Sequence, residues 1–227
     1  MTLYDPALHQ RRSIRLKGYD YSQPGAYFVT ICVKERACLF GDVVQGKILV
    51  NDAGRMVQNA WNEIPDRYPN VEVDAFVVMP NHIHGIVVLV GAGLVPAQDR
   101  ATTNTNGATI HGATTRVAPT VGDVVGGFKS ITTVGYIRGV RESGWTPFLG
   151  RLWQRNYWEH IIGSDRALNA IPRYIVENPL RWHMDRYNPN AIGRDPVARD
   201  LWRLIKNDAR RAVRPDGASE CNARDMP

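Results

Sequence analysis

At 227 residues the chain fits one main globular domain, with or without an appendage, and can bury a substantial core. Lys and Arg number 28 against 22 Asp and Glu, a net charge of +6, which favours a polyanionic partner without identifying one. Cys32, Cys38 and Cys221 form no C-x-x-C pair, which argues against a disulfide framework and a cysteine zinc site and fits a reducing cytoplasm.

The first residues, "MTLYDPALHQRRSIRLKGYDYS", are polar and basic without an apolar segment, and no run approaches the roughly twenty apolar residues that span a bilayer. A soluble, cytoplasmic protein is expected. "YFVTICV" (27–33), rich in β-branched and aromatic residues behind the turn-like "QPGA", predicts a first strand. "GDVVQGKILVN" reads as a short strand pair or a decorated loop. From Asn51, Met56, Val57, Ala60, Trp61 and Ile64 recur at helical spacing, and Pro65 and Pro69 are expected to close that helix. "VEVDAFVVM" and "HIHGIVVLV" are apolar strands joined by "PN", too short for a crossover, and should form an antiparallel hairpin.

Residues 91–120 are dominated by Gly, Ala, Thr and Asn and read as a long mobile loop inserted in the domain. After Thr120, Val124, Val125, Phe128, Ile131 and Ile137 return to roughly helical spacing, interrupted by glycines. "GRLWQRNYWEHII" (150–162) reads as a strand. From Ser164 a capped helix carries Leu168, Ile171 and Ile175 and closes at Asn178-Pro179, while Pro172 predicts a kink or a start inside it. The Arg-rich stretch after about residue 190 predicts an amphipathic basic helix. The order of elements suggests an α+β sandwich, an antiparallel sheet with helices packed on one face, spanning residues 1–190 and followed by a basic tail over 191–227.

Two pairs of residues carry chemistry. His82 and His84 alternate on a strand, so both imidazoles project from one face while Ile83 points to the other; they form either a two-histidine metal platform or a chance pair satisfied by backbone and solvent. Tyr174 and Asn178 are four residues apart on a helix and therefore share a face. A phenol with a pKa near 10 needs a nearby cation to act as a nucleophile on a phosphodiester, and the bland alternative is a packed Tyr and a capping Asn.

Together, "MPNHIHGI", "WQRNYWEHII" and "YIVENP", in that order, resemble the REP-associated tyrosine transposases, a branch of the single-tyrosine His-hydrophobic-His transposases, over roughly residues 10–190. The resemblance implies a ferredoxin-like sandwich, His82 and His84 as metal ligands, Tyr174 as nucleophile and Asn178 as a third metal-binding side chain. It further implies a divalent ion, Mg²⁺ or Mn²⁺, and cleavage of single-stranded DNA hairpins of repetitive extragenic sequence through a 5′-phosphotyrosine link, by a protein that acts as a monomer, a dimer remaining an alternative. Arg12 and Arg15 in the basic N-terminal run, Lys129, Arg155 and His160 are candidate DNA contacts, each with a solvated or packed alternative. A competing function is a domesticated, non-cleaving binder of DNA hairpins. A third, a nicking enzyme of replication or conjugation, would carry a second tyrosine beside the first or an added helicase, and neither is evident.

Overall fold

The β-branched, aromatic segment predicted as the first strand forms β1 (Gly25–Cys32) in the structure, a computed structural model that describes residues 23–90 and 119–212. Expectations for Arg12, Arg15 and the rest of the N-terminal run, for 91–118 and for the tail beyond 212 lie outside the described residues. A small hairpin follows, β2 (Gly41–Val44) against β3 (Lys47–Val50), one of the two forms expected there. Helix α1 (Asp52–Asn62) starts where the Asn51 side chain accepts from the Gly54 amide. Pro65 does not close this helix. It occupies the first turn of a short α2 (Ile64–Arg67), where the amide it lacks has no helical partner to lose.

β4 (Val71–Val78) and β5 (His82–Leu89) form the expected hairpin, with a bulge between Val73 and Phe76 that keeps the apolar side chains on their proper faces. Helix α3 (Val121–Ser143) opens on a reciprocal Thr120–Asp123 cap and ends at Gly144, whose φ of 67° closes the last turn. Only Trp158–Ile161 of the expected 150–162 strand pairs as a strand, β6. The preceding residues leave the sheet because Trp153 turns into the core and donates its indole N–H to Thr132 Oγ1 at 2.9 Å. Helix α4 (Asp165–Glu177) runs through Pro172, which neither starts nor ends it; the carbonyl that proline leaves over, Leu168's, belongs to an exposed residue. A 3-10 helix (Asn178–Met184) and α5 (Pro196–Ala212) follow.

The four long-paired strands lie in the order β4-β5-β1-β6, all antiparallel. With α1 between β1 and β4 and α3 between β5 and β6, this is the β-α-β-β-α-β order of the ferredoxin-like sandwich. The period of two sorts each strand between two cores. Tyr27, Val29, Ile83 and Val87 meet Val57 and Trp61 of α1 and Val124 and Phe128 of α3 on one face, as expected for the helices. Here Gly85 is required: a Cβ would stand 2.3 Å from the Trp61 ring. Phe28, Val77 and Ile86 face the other way and meet Ile171 and Ile175 of α4 and Leu201 and Ile205 of α5. The helices thus cover both faces, and the basic stretch expected as a tail contributes to the second core because its amphipathic spacing buries Leu201 and Ile205. Among the described residues no helix is long and apolar enough to cross a membrane.

Candidate active site

Both histidines of β5 project to the second face and are buried, opposite Cys32 and Thr30 of β1. The tautomer of His82 follows from its neighbour. Asn81 donates its amide N–H groups to the carbonyls of Arg36 (2.9 Å) and Tyr187 (2.8 Å), so its Oδ1 faces His82 Nδ1 at 2.9 Å and can only accept. Nδ1 therefore carries the proton and Nε2 presents a lone pair. His84 Nδ1 lies 2.8 Å from Thr30 Oγ1, and its Nε2 is 3.2 Å from His82 Nε2. The threonine hydroxyl can rotate. As donor it leaves His84 Nε2–H to bond His82; as acceptor it frees a second lone pair beside the first. Burial pushes the His84 imidazole down to about 3 and, joined by the neighbouring imidazole, holds His82 well below its ordinary value, so both are neutral near pH 7 and able to serve as ligands.

Helix α4, capped by Ser164 Oγ on the Ala167 amide, brings Tyr174 over this pair. The Tyr174 ring centroid is 5.5 Å from that of His84 and 6.3 Å from that of Phe28. Arg181 lies over the other part of the ring, its guanidinium carbon 5.4 Å from the centroid, and is tied to Glu177, Asp195 and the Tyr174 carbonyl. Burial, followed by the carboxylates of Asp185 and Asp195, raises the phenol above its ordinary value. Asn178 is buried at the junction of α4 and the 3-10 helix; its side chain bonds Asp185, and its Oδ1 has no hydrogen-bond partner among the described residues. An orphaned, buried amide oxygen is costly unless something electropositive meets it.

Asp185 is the residue that sequence reasoning missed. It follows the 3-10 helix, is buried, and places Oδ2 3.8 Å from His82 Nε2. The Tyr187 amide donates to its other oxygen at 2.6 Å. Burial pushes the carboxyl up to about 6, the Tyr187 amide acting against that shift. His82, His84 and Asp185 form a group whose potential ligand atoms all lie within 4.8 Å of one another. Asn178, bonded to Asp185, brings a side-chain amide next to this set of two imidazole nitrogens and a carboxylate. Such donors suit a divalent cation, and the two Nε2 atoms have the separation of neighbouring ligands on one ion at about 2.1 Å.

The remaining candidates are placed differently. Lys129 does not present its ammonium to a ligand: it donates to the carbonyls of Gln154 (3.0 Å), Arg155 (3.3 Å) and Asn156 (3.4 Å) and lies over the Tyr157 ring, pinning the loop before β6. Burial pushes it down to about 8. His160 is buried on β6 opposite Phe28, its ring stacked on Trp158, and is not part of the donor group. Arg155 is exposed on the loop that Lys129 pins.

No family model matches the chain. An uncharacterized protein of Haemophilus influenzae is 39% identical over 189 residues, which cover 82% of this chain and 97% of that protein. A second protein of the same organism, named "Putative REP-associated tyrosine transposase", is 27% identical over 163 residues, 71% of this chain and 74% of that one. The solved structure of a REP-associated tyrosine transposase bound to a REP hairpin is similar at a TM-score of 0.43, with 19% identity over 74% of this chain and 73% of the other.

Proposed function

We propose that this chain is a member of the REP-associated tyrosine transposases, a divalent-metal-dependent, single-stranded DNA endonuclease and strand transferase acting on hairpins of repetitive extragenic sequence. The observation that carries this reading is the convergence of His82 Nε2, His84 Nε2 and Asp185 beside the ring of Tyr174, with Asn178 bonded to Asp185.

His82, His84, Asp185 and Asn178 would hold Mg²⁺ or Mn²⁺. When bound, that ion supplies positive charge to the scissile phosphate and to the developing phenolate. Asn81 and Thr30 orient the imidazoles so that both Nε2 lone pairs are available. Tyr174 Oη attacks phosphorus, the bond to the 3′ oxygen breaks, and a 5′-phosphotyrosine and a free 3′ hydroxyl remain; the proton that the phenol loses balances the one the 3′ oxygen gains. Arg181, over the ring and bonded to the Tyr174 carbonyl, holds the nucleophile in place and offsets part of the cost of its charge. Reversal by another 3′ hydroxyl joins strands. Every donor and the tyrosine come from one chain, which suits action as a monomer.

A second reading, a hairpin-binding protein that does not cleave, is favoured by one feature: Tyr174 is 8% exposed and its phenol is raised by burial. A hairpin oligonucleotide with single-stranded flanks, incubated with Mg²⁺ or Mn²⁺, separates the two. The nuclease reading expects a denaturation-resistant protein–DNA product that Tyr174→Phe eliminates while hairpin binding persists. Binding with no such product under either ion supports the second reading.

A further inference from the structure

A cavity of about 240 Å³ opens beside the histidine pair, walled by Thr30, Arg36, Asn156, Trp158, Arg186 and Tyr187 among others. It shares no wall residue with the groove of about 650 Å³ between α4 and α5, which Tyr174 lines. Two of its walls also serve the metal-ligand histidines: Thr30 bonds His84, and the Tyr187 ring lies 4.6 Å from that of His82. Whatever enters the cavity is therefore next to the reacting centre.

Its chemistry is that of an anion joined to a flat ring. Arg36 and Arg186 converge on Tyr187, their guanidinium carbons 5.6 and 5.2 Å from its centroid, and Arg36 donates to the Arg186 carbonyl at 3.0 Å. Both are exposed, and neither forms an ion pair among the described residues. The buried Asp185 carboxylate feels Arg186 but forms no direct ion pair with either arginine, so the two guanidinium groups keep forked donors that match a phosphate. The backbone holds Arg36 firmly in this position, with a φ of 58° and a carbonyl that takes the Asn81 amide setting the His82 tautomer. Trp158, whose ring also packs on Phe28, His160 and Trp202, lines the cavity together with Tyr157, Gln154 and Asn156. Aromatic walls beside a basic rim are how sequence-tolerant single-stranded DNA sites hold a base. The volume, below the roughly 300–1,000 Å³ of drug-sized sites, suits one nucleotide and not a duplex stem.

We propose that this cavity binds one nucleotide of single-stranded DNA adjoining the cleaved bond, its phosphate held by Arg36 and Arg186 and its base against Trp158. The inference rests on the single-stranded DNA reading above. The test is binding of a fluorescein-labelled, 20-nucleotide single-stranded DNA to the full chain without added metal, measured by anisotropy across a salt series. The Arg36→Gln/Arg186→Gln double variant should bind on the order of ten-fold more weakly, with a salt slope shallower by about 0.7 because one phosphate is no longer neutralised. The charge-matched Arg138→Gln/Arg141→Gln variant, altered on α3 at the other face of the sheet, should bind almost as the wild type does. Trp158→Phe, which keeps a ring in the core, should weaken binding less than the arginine pair and leave the salt slope unchanged. Mn²⁺ affinity of the Arg36/Arg186 variant should be that of the wild type, since the Arg36 carbonyl survives the substitution. Equal binding by the Arg36/Arg186 variant, or an equal loss in the Arg138/Arg141 variant, overturns the site while wild-type formation of the covalent product leaves the nuclease reading standing. A wild type that binds no single-stranded DNA overturns the site as well, and the covalent product then decides the nuclease reading separately.

Discussion

The two faces of one sheet are built from alternate residues of the same strands, yet they do opposite work. On the α1–α3 face, Ile83, Val87, Trp61 and Phe128 close into an apolar core in which Trp61 stacks on Phe76 at 4.5 Å and the buried Thr132 hydroxyl is matched by the Trp153 indole. On the α4 face the same β5 strand presents His82 and His84, and these meet buried Asp185, to which Asn178 is bonded. The first face holds few polar groups, among them the Trp61 indole N–H, which like the Asn178 amide oxygen has no partner among the described residues; the second face concentrates them. Stability drawn from one face allows the other to hold neutral imidazoles and a buried carboxylate that an isolated fold would disfavour.

If the division of labour is real, damage to each face has a distinct signature. Trp61→Ala should cost about 3–5 kcal/mol of unfolding free energy, read by denaturant titration, while the folded fraction keeps its Mn²⁺ affinity. His84→Gln should do the reverse: Mn²⁺ affinity, followed by calorimetry, should fall by more than the roughly 10–100-fold typical of an outer-shell change, with the denaturant midpoint near that of the wild type. Thr30→Val removes only the hydroxyl that orients His84 and should lower Mn²⁺ affinity by about 10–100-fold, so an unchanged affinity would detach Thr30 from the site.

A smaller effect is expected from pH in the metal-free protein. Both imidazoles are held down by burial, so between their folded values and the unfolded value of 6.5 the unfolded chain binds more protons, and stability must fall as pH falls. From pH 7 to 5 this amounts to about 1–2 kcal/mol for His84, and His82 acts in the same direction. Asp185 works against it: its carboxyl is pushed up to about 6, so the folded state takes the extra proton as pH falls through that value. Stability measured across this range should therefore decline with acidification, less steeply than two imidazoles alone require, and more steeply in an Asp185→Asn variant.

The parts of this arrangement that were legible in the sequence are those with a period. Alternation placed His82 and His84 on the face opposite Ile83, and the i, i+4 spacing placed Asn178 one turn beyond Tyr174; both pairs meet in the structure. The hairpin of β4 and β5 was equally readable from two apolar runs joined by two residues. Asp185 was not, because it lies past the 3-10 helix in "HMDRYNP", where no periodicity fixes a direction and only the turn brings the carboxylate under His82. The side of the sheet taken by α5 was also hidden, since an amphipathic helix states that one face is buried without stating against what. The carbonyl partners of Lys129 were hidden for a related reason: a lysine among small residues states nothing of its contacts, and these carbonyls come from a loop some twenty-five residues further on.

The proposed nucleophile, Tyr174, sits on a helix placed over the histidine pair. The direct measurement is mass spectrometry of tryptic peptides after the protein has reacted with a hairpin oligonucleotide in Mn²⁺. A nucleotide adduct is expected on the peptide containing Tyr174, absent from Tyr174→Phe and from metal-free reactions. An adduct on another residue, or cleavage that persists in Tyr174→Phe, would contradict it.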